Sequence, residues 1–259
     1  MNQDEKRIYL IKRLLEEAKN LDVKIPTNED DQKQLLRALF NIREPRVIED
    51  EFLKIQDEYL QAEIMKKGVV DIDNLDEIEK DIYLWKGDIT LLKVDAIVNA
   101  ANSSLLGCFY PGHHCIDNAI HTFSGVQLRW ECSKIIKMQG HGEDTGQAKI
   151  TSAFNLPSKF VIHTVGPIIG GKLTQNDCKL LESCYRSCLD VAEANGVKSI
   201  AFCCISTGEF HFPNDKAAEI AINTVRNFKK EKGTEMKVVF NVFKEKDERI
   251  YRGLFGYKK

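Results

Sequence analysis

From residue 82 onward the chain alternates short apolar runs with longer segments whose apolar residues recur every three to four positions, and this alternation constrains the fold more than any other feature. The short runs, read as strands, cover residues 82–85, 96–100, 148–154, 160–165, 199–205 and 237–243. The amphipathic segments, read as helices, cover 115–123, 126–138, 177–195 and 215–229, with a last one over 247–255. Apolar strands separated by amphipathic helices require a sheet covered on both faces, so the expected class is a three-layer α/β sandwich. Ligands of such sheets sit in a crevice at the strand ends, which directs attention to the loops there.

Before the turn near Lys67 and Gly68 the character is different. Residues 5–67 read as helices only, with Ile8, Ile11, Leu15 and Ala18 on one face and Ile48, Phe52, Ile55 and Tyr59 on another. Pro26-Thr27-Asn28 marks a helix start, with Thr27 or Asn28 capping a helix through Leu35, Leu36, Leu39 and Phe40. The chain therefore divides into an N-terminal helical region, residues 1–72, and an α/β domain, residues 73–259. The apolar stripes of the first region need a partner surface, which the main domain can supply. A packing appendage is the expected role, and a docking surface for another protein is the alternative.

Composition narrows the chemistry. With 259 residues and 43% hydrophobic content the chain can bury a sizeable core. A formal net charge of −2 and a pI near 6.3 provide no global field for nucleic acid or an anionic membrane, so any phosphate must be held locally. No apolar run approaches the ~20 residues that span a bilayer, and Met1 to Lys6 has no apolar signal segment. A cytoplasmic protein is expected. Its eight cysteines then read as reduced thiols. Cys203 and Cys204 lie in an apolar strand, Cys184 and Cys188 one helical turn apart, and Cys132 and Cys178 in other helical stretches without a histidine nearby in sequence.

One stretch stands apart. Cys108-Phe-Tyr-Pro-Gly-His113-His114-Cys115 packs two thiols and imidazole into a turn-forming loop between an apolar strand and a helix. Zinc favours thiolate and imidazole ligands, and Pro111 and Gly112 can bend the loop so that Cys108, His113 and Cys115 reach one ion. Three protein ligands leave a coordination position open, which suits catalysis better than structural stapling. His114 could close the site, but a loop committed to His113 and Cys115 has little freedom left to turn it inward.

The flanking motifs run Trp85-Lys-Gly-Asp88-Ile89, Asn99-Ala-Ala-Asn102, Ile116-Asp117-Asn118, Gly146-Gln-Ala148, Val161-Ile-His163-Thr-Val-Gly-Pro167 and Ser206-Thr207-Gly208-Glu209-Phe210. This pattern resembles the macrodomain family, the ADP-ribose-binding fold, over about residues 75–259. Most members carry a glycine-rich turn where this chain has its cysteine and histidine loop. The resemblance therefore narrows to a zinc-dependent branch that removes ADP-ribose from proteins and carries an extra N-terminal helical region. It implies a three-layer α/β/α fold with a mixed central sheet.

The same resemblance assigns expected roles. Asp88, with Ile89 beside it, would accept from the adenine amino group, and Phe243 would supply an apolar wall or else join the core. The amides of Ser206, Thr207, Gly208, Glu209 and Phe210 would converge on the diphosphate. The Phe210 ring would meet the distal ribose while the Glu209 carboxylate points to solvent. Asn102 would orient ribose hydroxyls and Asn99 would support the strand end. Asp117 would stand beside the distal ribose, although a carboxylate there is also a good helix cap. His121 and His163 read as satisfied core histidines, and His141 and His211 as loop residues.

The expected function is hydrolysis of mono-ADP-ribose from protein side chains, with one zinc per chain at the distal ribose and Asn102 and Asp117 as catalytic residues. Asp or Glu esters come first because they have the better leaving group. The alternatives are a reader module with a structural zinc, or deacetylation of O-acetyl-ADP-ribose. The expected partners are an ADP-ribosylated protein and ADP-ribose as product. Resembling proteins are often encoded beside lipoyl-carrier proteins, which makes such a carrier a suggested substrate.

Overall fold

Strand β5 (Ala96–Ala101) is buried along nearly its whole length, a state only a central strand with cover on both faces can hold. The computed structural model describes residues 1–18, 21 and 23–257. Besides β5 it contains β1 (Val70–Asp71), β2 (Glu77–Glu79), β3 (Ile82–Lys86), β4 (Leu92–Lys93), β6 (Ala148–Ser152), β7 (Phe160–Val165), β8 (Ser199–Phe202) and β9 (Lys237–Val242). Seven strands form one sheet in the order β2-β3-β9-β8-β5-β7-β6, while β1 and β4 make a small parallel pair. Neighbours from β3 to β7 run parallel, and the edges β2 and β6 are antiparallel, so the sheet is mixed as expected.

The helices are α1 (Gln3–Glu17), α2 (Glu29–Ile42), α3 (Asp50–Lys67), α4 (Ile116–Ser124), α5 (Val126–Gln139), α6 (Gln175–Ala194), α7 (Asn214–Lys232) and α8 (Glu245–Leu254). Helices α4 and α5 pack on one face of the sheet and α6, α7 and α8 on the other, which completes the three layers. The helices α1 to α3 build a second core from Leu10, Ile11, Leu14, Leu36, Leu39, Phe40, Phe52 and Tyr59, joined by Val126 of α5. Among the described residues no helix is long and apolar enough to cross a membrane, and all eight cysteines are free.

Two local readings change. The buried face of α1 is Arg7, Leu10, Ile11 and Leu14 rather than the stripe through Ile8 and Leu15. A polar residue hid the register: the Arg7 guanidinium is buried because Nε donates to Gln32 Oε1 (2.9 Å) and Nη2 to Asp4 Oδ1 (2.7 Å). Strands β6, β8 and β9 also end before their apolar runs do. At the first two the chain leaves the ladder through left-handed residues, Phe154 (φ 53°) and Ser206 (φ 64°), and beyond β9 Phe243 is 76% exposed. The expected Asn28 cap is present, its side chain accepting from the Asp31 amide at 2.9 Å.

Candidate active site and metal-binding loop

From β5 the chain leaves through α4 and α5 to β6 and β7 on one side, then crosses through α6 to β8 on the other side of β5. The loops after β5 and β8 therefore diverge, and a crevice opens at the carboxyl ends of these strands. The site residues expected from sequence emerge from such ends, except Asp117, which the first turn of α4 carries. Asp88 follows β3, Asn102 to Cys115 follow β5, Ser206 to Phe210 follow β8 and Phe243 follows β9.

The loop after β5 brings Cys108, His113 and Cys115 together, with one ligand atom from each within 4.8 Å of the others. Cys108 Sγ lies 3.4 Å from His113 Nδ1, and all three residues are half-buried. His114 is exposed and outside the cluster. Gly107 starts the turn at φ 80°, and a Cβ there would meet Cγ of the His121 ring at 2.7 Å. Cys115 is the N-cap of α4, its sulfur accepting from the Asn118 amide at 3.4 Å. Burial pushes the Cys115 thiol up to about 12; the Asn118 amide opposes this and the Cys108 sulfur adds to it. Two sulfurs and an imidazole that converge without a disulfide are a donor set suited to zinc.

A second set of donors lies inward. His121 of α4, Cys132 of α5 and His163 of β7 also converge within 4.8 Å, all fully buried. His163 Nε2 is 3.0 Å from Thr151 Oγ1 and 3.7 Å from Cys132 Sγ, while Nδ1 is 3.2 Å from Asn99 Nδ2. Burial drives the His163 pKa down to about 3, lowers that of His121 and raises that of Cys132. His163 is thus a satisfied core histidine as expected, whereas both ring nitrogens of His121 lack a hydrogen-bond partner among the described residues. This donor set also suits a metal, and burial disfavours the charged form of each of its groups.

Asp117 sits between the two clusters, 6% exposed in the first turn of α4. It does not cap the helix, since Cys115 does. Its Oδ1 accepts from Asn99 Nδ2 at 2.8 Å and its Oδ2 from Asn102 Nδ2 at 3.3 Å. Burial raises the carboxyl to about 6, opposed by the Asn99 hydrogen bond and by Arg129. Asn102 is engaged on every side. Its Nδ2 also donates to Gly107 O (3.0 Å), and its Oδ1 accepts from the Ser104 amide (3.0 Å) and hydroxyl (2.5 Å).

At the other end of the crevice Asp88 caps a short 3-10 turn, one oxygen accepting from Thr90 N (3.0 Å) and Thr90 Oγ1 (2.6 Å). The Ile89 side chain is in the core. Between Ser206 and Phe212 the amides of Thr207, His211 and Phe212 bond to loop carbonyls. Those of Ser206, Gly208, Glu209 and Phe210 donate to no group among the described residues. Glu209 points outward, its side chain 71% exposed, with Oε1 3.8 Å from His113 Nε2. This approach brings the amide-rich loop against the metal loop.

Sequence reasoning missed Asn118, Arg37, Asn41 and Arg129. Asn118 is fully buried next to Asp117, and its Nδ2 donates to Tyr110 O at 3.1 Å. An Asp-Asn pair at a helix start signals only capping, and the arginines sit on helices where charge is ordinarily solvated. Only the fold brings them to the loop.

A family model described as Macro domain matches residues 98–221. The chain is 58% identical to the protein-ADP-ribose hydrolase of Treponema medium, covering 99% of this chain and 100% of that protein. The chain belongs to the macrodomain family. This macrodomain is also 48% identical to the protein-ADP-ribose hydrolase of Staphylococcus aureus strain MRSA252, over 96% of its own length and 94% of the relative's. The solved structure of the Trypanosoma brucei macrodomain in complex with ADP-ribose superposes with a TM-score of 0.67 at 30% identity, over 85% of this chain and 95% of that one.

Proposed function

We propose that this macrodomain hydrolyses the bond between the distal ribose of ADP-ribose and a side chain of a modified protein. The observation that carries the reading is the meeting, in one crevice, of a half-buried Cys-His-Cys loop, a buried carboxyl at Asp117 and a loop of unbonded amides at 206–210. The two relatives named protein-ADP-ribose hydrolases, aligned along nearly the whole chain, support it.

In this proposal Asp88 uses its second carboxylate oxygen for the adenine amino group, and Phe243 supplies an exposed ring beside it. The amides of Ser206, Gly208, Glu209 and Phe210 take the diphosphate oxygens without a lysine, which is consistent with the near-zero net charge. Asn102 exchanges a loop contact for a ribose hydroxyl while its neighbour Asn99 keeps Asp117 in place. Asp117, held at both oxygens, positions the attacking water and takes its proton. Cys108, His113 and Cys115 would hold one zinc, which when bound supplies a Lewis acid beside the distal ribose. Ester links to Asp or Glu are the first substrates proposed, because the carboxylate is the better leaving group. The free thiols fit a reducing, cytoplasmic setting.

The test is release of ADP-ribose from mono-ADP-ribosylated carriers, with ester-linked and nitrogen-linked substrates and a lipoyl-carrier protein as separate arms. Turnover of at least one arm is expected. Tight binding with no release from any arm, by protein of confirmed metal content, would leave a reader module instead.

A further inference from the structure

The metal loop is held from outside the α/β domain. Between Gly107 and Cys115 the loop makes one backbone hydrogen bond of its own, His113 N to Tyr110 O at 3.2 Å. Asn102 Nδ2 holds its first carbonyl, Gly107 O, at 3.0 Å, and further ties lead to α2 and α4. Asn41 Oδ1 accepts from the Gly112 amide at 2.9 Å, and Arg37 Nη2 donates to His113 O at 2.9 Å. Arg37 Nε and Nη2 also donate to Asn118 Oδ1 at 3.2 and 2.9 Å. Asn118 in turn donates to the carbonyls of Tyr110 and Cys108, and its amide meets Cys115 Sγ.

The loop entrance is fixed in the same way. Arg129 Nε donates to Leu106 O at 2.6 Å and its guanidinium lies 4.2 Å from the Phe109 ring centre. Its Nη1 donates to the carbonyls of Phe40 (3.1 Å), Asn41 (2.7 Å) and Arg43 (2.5 Å), groups that the end of α2 leaves without helical partners. Asn41 Nδ2 adds a bond to Thr122 Oγ1 of α4 at 2.9 Å. Helix α2 therefore bonds to His113 directly, reaches Cys108 and Cys115 through Asn118, and reaches the loop entrance through Arg129.

We propose that Arg37 and Asn41 are positioning residues for the metal loop, so that the N-terminal helices complete the active site. The inference rests on the metal site proposed above. A loop with few internal bonds and left-handed turns at Gly107 and Gly112 has many conformations open to it. Bonds from α2 to the Gly112 amide and the His113 carbonyl remove most of them before the metal arrives. Groups that orient ligands in this way typically account for about 10- to 100-fold in metal affinity or activity.

The experiment uses the full chain carrying Arg37→Ala, Arg37→Lys, Asn41→Ala or, as control, Leu14→Ala in the core of α1 to α3. Zinc affinity is read by competition with a chromophoric chelator, and ADP-ribose affinity by calorimetry. Arg37→Ala and Asn41→Ala are expected to weaken zinc binding about 10- to 100-fold, lower kcat and leave ADP-ribose affinity within about 2-fold. Arg37→Lys should recover little, since an ammonium cannot span His113 O and Asn118 Oδ1 as the guanidinium fork does. Leu14→Ala, measured where it stays folded, should keep wild-type zinc affinity. Zinc affinity unchanged in the α2 variants, or lost equally in Leu14→Ala, overturns the proposal. Hydrogen exchange of the 107–115 segment in metal-free protein decides the matter separately from the metal reading. Faster exchange at Gly112 in Arg37→Ala and Asn41→Ala supports positioning even if the wild type takes no zinc, and unchanged exchange refutes it.

Discussion

Asp88 and His163 show two ways in which a single side chain can be tested. Asp88 spends one oxygen on Thr90, and if the other takes the adenine amino group as proposed, Asp88→Ala should weaken ADP-ribose binding by roughly 1 to 3 kcal/mol with or without metal. Calorimetry showing unchanged affinity would remove it from the adenine pocket. His121 and His163 act on stability instead. Burial makes both imidazoles bind their protons less readily in the folded chain than in the unfolded one, where the pKa is near 6.5. Their contribution is therefore full above pH 6.5 and is lost as pH falls, for His163 down to about 3, with a slope of up to about 1.4 kcal/mol per pH unit for each group. Urea midpoints between pH 7 and pH 4 check this, and His121→Phe should remove one group's share of the slope. The convergence of Cys108, His113 and Cys115 was legible in sequence because the three donors share one turn. The His121, Cys132 and His163 cluster was not, because each residue comes from a different element.

The apolar patterns located the helices and the six longer strands but passed over the two- and three-residue strands β1, β2 and β4, since only a longer buried strand or amphipathic helix leaves a period that survives in one dimension. They failed where a polar group was buried with its own partners, as Arg7 is in α1, or where an apolar run continued past the ladder into a crevice loop, as at Cys203 to Ile205. Arg129 is the strongest case. Its pKa is pushed down to about 10, mainly by burial, and it donates to four carbonyls that join α2 to the metal loop. Arg129→Met should fill similar space yet strand those carbonyls, lowering stability on the order of 3 kcal/mol. Denaturant unfolding measures the loss, and a change below about 0.5 kcal/mol would mean that water replaces the guanidinium without penalty.

For the whole molecule, strand order was the part no sequence pattern could supply, because registers between distant strands leave no local trace. That order places the loops after β3, β5, β8 and β9 around one crevice, so the proposed adenine and diphosphate contacts and the proposed metal ligands lie on different loops. Binding and turnover should therefore be separable. Removing Cys115 takes away a proposed metal ligand and leaves Asp88 and residues 206–210 intact. The decisive measurement is zinc content and ADP-ribose release, taken together on wild type, chelator-treated wild type restored with graded zinc, and Cys115→Ala. The account predicts about one zinc per chain, release that rises in proportion to zinc restored, and a Cys115→Ala protein that still binds ADP-ribose but neither retains zinc nor releases product. Wild type that purifies without transition metal yet turns over at full rate, or Cys115→Ala with undiminished release, would contradict it.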